Sequence, residues 1–229
     1  MSASTPPEPW RGVRAVLFDL DGTLYDSAPD LAASANRLRE RDGLAPLPLA
    51  LYRPHASSGA RGMLQVAFGL TPDHARFAAL RADFIADYAD HLLDHGRVFD
   101  GVLPLLDALQ RASLPWAVVT NKVERLTSPL VAHHAWLQTA GAVVCGDSTP
   151  HTKPHPAPVQ LAAQRLGVAP ADCVMVGDDL RDVQAGLAVG ARTVAVRYGY
   201  LGTAQPIEAW GAHAIADAPL DLLPWLELP

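Results

Sequence analysis

Two carboxylates stand two residues apart in Asp19-Leu20-Asp21-Gly22-Thr23, directly after a short apolar run. Residues two apart on an extended strand point the same way, so a chain that leaves its strand at Gly22 can direct both carboxylates into one pocket. Thr120-Asn121-Lys122 closes a second apolar run with a hydroxyl and an amide, groups suited to phosphate oxygens. Lys153-Pro154 offers a proline-braced cation that can act as a fixed point charge. Gly177-Asp178-Asp179-Leu180-Arg181-Asp182 ends a further apolar run with more carboxylates. Each cluster has a plain alternative as a solvated turn, a helix cap or surface charge.

The segments that must position these groups are short apolar runs at 13–19, 116–120, 142–145, 173–177 and 193–197, with a weaker sixth at 212–216. Segments with apolar residues at helical spacing, 103–112, 124–136, 157–166 and 180–189, lie between them. This alternation predicts an α/β fold, a Rossmann-like doubly wound parallel sheet whose ligands bind at the carboxyl ends of the strands. From Ser27 to about Phe99 helical patterns follow one another without a strand, which predicts an inserted all-helical cap. Ser27 and Asp30 have the spacing of a capping box, and Thr71-Pro72 that of an N-cap before a first-turn proline. Phe77, Leu80, Phe84, Tyr88 and Leu92 then form one apolar helix face. The expected organisation is a flexible tail over 1–12, a core over 13–26 and 100–229, and a cap over 27–99.

Composition narrows the function classes. Hydrophobic residues make up 49% of the 229, which excludes a disordered chain. The net charge of −6 has the wrong sign for coating a nucleic-acid backbone or an anionic bilayer. The start carries no basic region followed by an apolar stretch, so a cytoplasmic protein is expected, with Cys145 and Cys173 as small buried hydrophobes.

In order and context, DLDGT at 19–23, VVTN at 118–121, KP at 153–154 and GDDLRD at 177–182 resemble the four motifs of the haloacid dehalogenase-like hydrolase superfamily. They span both ends of the core, and the helical insert sits where that superfamily carries a cap. DGTLYDS, SSGARGML at 57–64, FDG at 99–101, TNK, GDDLRD and RYGY at 197–200 are similar to bacterial phosphoglycolate phosphatases. The cap string and VGDDLRD are also similar to an allied branch that acts on N-acetylmuramic acid 6-phosphate. Dehalogenases of this fold lack the second acidic residue of the first motif, which is Asp21 here, so a dehalogenase is disfavoured.

The resemblance implies a phosphomonoester hydrolase with Asp19 as nucleophile, passing through an aspartyl-phosphate, and Asp21 as acid and base. It implies Mg²⁺, a cation that a carboxylate-rich site without Cys or His also selects, held by the Asp19 and Asp178 side chains and the main-chain carbonyl of Asp21. Asp182 is expected to orient Lys153 or a metal-bound water from behind, and Asp179 to share that role or to cap a helix. Thr120, main-chain N–H groups near Asn121, and Lys153 would hold the phosphoryl oxygens. Arg61 in the cap is the candidate for a substrate carboxylate. The hinge residues are expected at Asp26-Ser27 and 99–101. 2-Phosphoglycolate leads as substrate; N-acetylmuramic acid 6-phosphate, a phosphosugar mutase reaction and a catalytically idle scaffold are the alternatives. The expected partner is a small phosphorylated acid or phosphosugar, with no nucleic acid or membrane, and the chain is expected to be a monomer or homodimer.

Overall fold

In the computed structural model, which describes residues 9–226 and 228, the first buried run is strand β1 (Ala15–Phe18). The chain leaves it at Asp19 and turns through Gly22 into β2 (Tyr25–Asp26). Helices α1 (Ala28–Arg41), α2 (Leu49–Tyr52), α3 (Gly59–Phe68) and α4 (Phe77–His91) follow, then β3 (Arg97–Val98), which pairs antiparallel with β2. This two-stranded ribbon closes the helical insert, with both chain crossings side by side.

The remaining elements alternate: α5 (Val102–Arg111), β4 (Trp116–Val119), α6 (Glu124–His133), β5 (Ala142–Val144), α7 (Ala157–Leu166), β6 (Cys173–Gly177), α8 (Leu180–Leu187), β7 (Arg192–Val196) and β8 (Ala214–Ala216). Six strands form one parallel sheet in the order β5-β4-β1-β6-β7-β8. The chain winds from β1 toward β4 and β5 on one side, then crosses to β6 and winds the other way. The switch point therefore lies between β1 and β6, where a crevice opens at the strand carboxyl ends.

Both sheet faces are buried. Leu17, Ala117 and Met175 pack with Val159 and Ala163 of α7 and Ala185 of α8. Val16, Phe18 and Val118 face the other way, in a cluster that includes Leu105 and Leu109 of α5 and continues into the cap through Leu31, Tyr52, Met63, Leu64 and Phe84. Gly186 of α8 lies so close to the sheet that an added Cβ would come within 2.6 Å of Thr193 and 2.9 Å of Met175, the close approach expected of a helix glycine against a strand.

Three local expectations fail. Ser27 makes no side-chain cap, and its buried hydroxyl finds no hydrogen-bond partner among the described residues. Asp30 instead accepts from the N–H groups of His95 (2.7 Å) and Gly96 (2.9 Å), so its carboxylate fastens the end of the insert to its start. The Thr71-Pro72 signal starts no helix: 71–76 form turns, and α4 begins at Phe77 behind an Arg76 N-cap that lacks a side-chain bond. Of the expected tail, 1–8 lie outside the described residues, whereas Trp10 is docked, its N–H donating to Trp225 at 2.7 Å and its ring 5.7 Å from that of Trp225. An aromatic pair outweighs the tail-like composition there.

Candidate active site

Two buried strand ends deliver the acidic groups. Asp19 directly follows β1, and β6 ends in Gly177 with Asp178 and Asp179 next; Asp178 is fully buried, and Asp182 is 2% exposed. Asp179 is the N-cap of α8, and its side chain and that of Asp182 form a capping box, so one motif starts the helix and aims a carboxylate back at the sheet. Gly22, at φ +91°, passes so close to Asp178 that a Cβ would lie 2.2 Å from its carboxylate oxygen.

Asp19, Asp178 and Asp182 each offer an oxygen within 4.8 Å of the others. Lys153, 3% exposed, reaches into the group, with Nζ 2.8 Å from Asp19 Oδ1, 2.6 Å from Asp182 Oδ1 and 2.5 Å from the carbonyl of Val119. Asn121 holds the Lys153 backbone from both sides: its Oδ1 accepts from Lys153 N–H (2.9 Å) and its Nδ2 donates to the Lys153 carbonyl (3.0 Å). The Asn121 side chain is thus committed to the lysine loop, leaving its main chain to face a ligand. Thr120 is buried, and its Oγ1 accepts from Lys122 N–H at 3.1 Å, which leaves the hydroxyl hydrogen free to donate.

One lysine among three buried carboxylates is an electrostatic deficit. Desolvation pushes Asp178 well above the ordinary carboxylate range, and the Asp19 and Asp182 charges push it further. Its donors are all neutral: Tyr200 N–H at 2.8 Å, and the hydroxyls of Thr23 and Ser57 at 3.3 Å. Burial also raises Asp182, to about 7, against the pull of Lys153, and raises Asp19. Lys153 is held above its usual value because Asp182 and Asp19 outweigh its own desolvation. A fully buried carboxylate with no cation of its own beside two others fits a hard divalent cation, and the all-oxygen donor set fits Mg²⁺.

The cavity above this group measures about 470 Å³. Asp19, Asp21, Thr120, Asn121, Lys153 and Asp182 all line it, while the fully buried Asp178 does not. The cap supplies the roof through Ser57–Ala60 and an apolar wall of Leu31, Phe84 and Ile85. Arg61 is not part of that wall. Gly59 and Ala60 face the cavity, and one further residue of a 3.6-residue turn carries Arg61 round to the exposed side of α3. Arg81 of α4 and Arg125 of α6 line the cavity instead, and Arg181 joins core to cap by donating to the Ser57 carbonyl at 2.7 Å while pairing with Asp179 at 2.7 Å.

Lys122 is the residue whose part the motifs left unread. Its side chain is 7% exposed, with Nζ 3.0 Å from Asp21 Oδ1 and 2.6 Å from the hydroxyl of Tyr88 in the cap. Burial pulls its ammonium down, but Asp21 and Tyr88 outweigh it and the net direction is up. Its place immediately after Thr120-Asn121 was the available signal; the cap partner, 34 residues away, was not visible from spacing.

No helix among the described residues is long and apolar enough to cross a membrane. A family model described as haloacid dehalogenase-like hydrolase matches residues 13–190. The chain is 40% identical over 215 residues to N-acetylmuramic acid 6-phosphate phosphatase of Pseudomonas aeruginosa, covering 94% of this chain and 95% of that one. It is 43% identical over 210 residues to phosphoglycolate phosphatase of Xanthomonas campestris pv. campestris, covering 91% and 94%. The crystal structure of a predicted phosphoglycolate phosphatase from Haemophilus somnus superposes with a TM-score of 0.80 at 30% identity, covering 93% of this chain and 97% of that one. Sheet order, inserted helical cap and sequence agree: the chain belongs to the haloacid dehalogenase-like hydrolase family.

Proposed function

We propose that this protein is a Mg²⁺-dependent phosphomonoesterase that works through an aspartyl-phosphate on Asp19 and takes a phosphate ester bearing a carboxylate. The observation that carries the reading is the buried group of Asp19, Asp178 and Asp182 around Lys153, opening on a cavity at the switch point of the sheet. A carboxylate at the cavity floor can attack phosphorus in line, splitting hydrolysis into two displacements. Asp21 gives a proton to the departing ester oxygen, then takes one from the water that cleaves the acyl phosphate. The Lys153 ammonium, the Thr120 hydroxyl and the backbone N–H groups after it hold the phosphoryl oxygens, where negative charge spreads as the bond breaks. Asp182 keeps Lys153 in place. Mg²⁺, held by the side chains of Asp19 and Asp178 and the carbonyl of Asp21, would supply positive charge that lets carboxylates and phosphate share one site. The cap excludes water from this chemistry.

2-Phosphoglycolate and N-acetylmuramic acid 6-phosphate both carry the required carboxylate, and relatives at about 40% identity bear the name of each activity. One feature favours the larger ester as a second reading. A cavity of about 470 Å³ falls among the roughly 300–1,000 Å³ pockets that enclose drug-sized ligands, and its Leu31, Phe84 and Ile85 wall suits apolar groups that a two-carbon acid lacks. Arg81 and Arg125 take over the carboxylate role expected of Arg61. The test is free phosphate release from 2-phosphoglycolate, N-acetylmuramic acid 6-phosphate and p-nitrophenyl phosphate, before and after chelation and Mg²⁺ readdition. Metal-dependent release, faster from a carboxylate ester than from p-nitrophenyl phosphate, supports the reading. Full activity after chelation contradicts the metal, and isomerised phosphosugar without free phosphate replaces the hydrolase with a mutase.

A further inference from the structure

One ammonium group bridges a carboxylate of the core and a hydroxyl of the cap. Lys122 leaves the carboxyl end of β4 and places Nζ between Asp21, 3.0 Å away on the core, and the hydroxyl of Tyr88, 2.6 Å away on the cap helix α4. The same ammonium lies 4.8 Å from the centroid of the Tyr88 ring, within cation–π range. Tyr88 is fixed in turn, 3% exposed and stacked on Phe84 with ring centroids 6.2 Å apart and planes 10° apart. Among the described residues, Lys122 is the only side chain that bonds the Asp21 carboxylate. The Asp21 side chain remains 19% exposed and lines the cavity.

Burying a lysine costs free energy that one ion pair does not reliably return, so an ammonium shared between two domains calls for a reason beyond adhesion. The arrangement supplies one. When the cap is down, the Tyr88 hydroxyl and ring pin the ammonium, and the ammonium pins one Asp21 oxygen. When the cap lifts, Tyr88 leaves with α4, and both Lys122 and Asp21 lose their fixed geometry. From this we infer that Lys122 is a positioning residue that reports cap closure to Asp21, so that the proton-transferring carboxylate is aimed only while Tyr88 covers the site. The inference rests on the reading of Asp21 as acid and base given above. It assigns Lys122 no contact with the substrate and gives Tyr88 a part in turnover from a position on the cap.

The two obvious rivals are a purely structural ion pair and a direct contact between Lys122 and substrate. Steady-state kinetics on 2-phosphoglycolate and N-acetylmuramic acid 6-phosphate separate them, using Tyr88→Phe, Lys122→Met, Lys122→Arg and the double variant Tyr88→Phe/Lys122→Met. Loose aiming of a catalytic group costs up to about 100-fold, so Lys122→Met should lower kcat by about 30- to 100-fold with KM within about twofold. Lys122→Arg should recover part of that loss. Tyr88→Phe keeps the ring and loses the hydroxyl, and should lower kcat by about three- to tenfold. The double variant should be no slower than Lys122→Met, because Tyr88 acts through Lys122. In an Asp21→Asn background, Lys122→Met should change the residual rate little. Multiplicative losses in the double variant, a loss carried by KM, or an undiminished Lys122 effect without Asp21 would each overturn the inference. Should Lys122→Met fail to fold, an unchanged kcat in Tyr88→Phe overturns it equally. Wild-type protein that releases phosphate from no ester defeats the proposed function instead, so the two failures are distinguishable.

Discussion

The buried carboxylates of the cap and those of the core are treated in opposite ways. In the cap and at its hinge, Asp87 accepts from Arg37 (2.8 Å) and Arg41 (2.9 Å), Asp26 is held in a two-pronged pair by Arg53 (2.8 and 3.0 Å) with Tyr200 as a further donor, and Asp30 takes two backbone N–H groups. Each has partners of its own. In the core, Asp19 and Asp182 share the single Lys153, and Asp178 beside them has only neutral donors. Where arginines supply the partners the pKa falls, Asp87 being depressed because they outweigh burial, while Asp30, which has only backbone N–H donors, and the core Asp178 and Asp182 are raised because burial prevails. Satisfied acids hold a scaffold together, whereas crowded and under-paired acids store a demand for positive charge that a metal and a catalytic cycle can use.

The sharpest way to break the contrast is to neutralise the core acids one at a time. Asp19→Asn should lower turnover by roughly four orders of magnitude or more while the protein stays folded, since the amide keeps the shape and loses the nucleophile. Circular dichroism and phosphate release check this together, and near-normal release removes Asp19 from the chemistry. Asp178→Asn should leave the metal-free melting temperature unchanged or higher, because it removes a charge the fold does not pair. A clear fall in that temperature would mean the core acids are structural.

Metal removal sharpens the same point. A ligand at 100 times its Kd stabilises by about 2.7 kcal/mol, which for a chain of this size is about 5–10 °C in Tm. Mg²⁺ should produce such a shift in the wild type and none in Asp178→Ala, read by thermal melting. The pH dependence of the metal-free protein carries opposite signs from Asp182 and Asp87. Asp182 is raised to about 7 from an unfolded value near 3.9, so the folded state binds more protons across that interval and stability falls as pH rises through it. Asp87 is depressed, so its contribution is present above about pH 3.9 and is lost as pH falls through the lower folded value. Urea titrations in chelator from pH 4 to 8 should therefore decline toward neutrality, and Mg²⁺ should flatten the decline. A rise toward neutrality would reverse the assignment.

Smaller effects are expected from the cavity arginines and the cap. Arg81→Ala and Arg125→Ala should each lower kcat/KM on a carboxylate ester by roughly tenfold or more relative to p-nitrophenyl phosphate, a loss expected of a truncated charge pair. Arg61→Ala should change neither. Equal losses on both substrate types would place these arginines in cap packing. Asp87→Asn should cost about 1–2 kcal/mol, since both of its arginines touch water and screening discounts the pairs; chemical denaturation measures it.

The sequence was legible where chemistry and periodicity coincide. A motif at a strand end carries a residue pattern and a position together, which is why 173–177 and 157–166 match β6 and α7 residue for residue and why the acidic groups meet at one edge. The other strands run a residue or more shorter, or shifted; Asp19 and Thr120 lie just past their strand ends, still donating their N–H groups to Val176 and Val144. Illegible features depended on partners distant in the chain. Asp30 looked like a local cap because its actual donors lie 65 and 66 residues later. Ribbon strands of two residues have no periodicity to read. Arg61 had the right residue type near the right motif but the wrong helical phase.

The most direct test of the central claim is where the phosphoryl group goes. Rapid quenching of the wild type with Mg²⁺ and a turning-over phosphate ester, followed by borohydride reduction and peptide mass spectrometry, reads the modified residue. The account predicts reduction of the Asp19 side chain, dependent on substrate and on metal, and absent in Asp19→Asn. Labelling of another residue, or the same label without substrate, would contradict it.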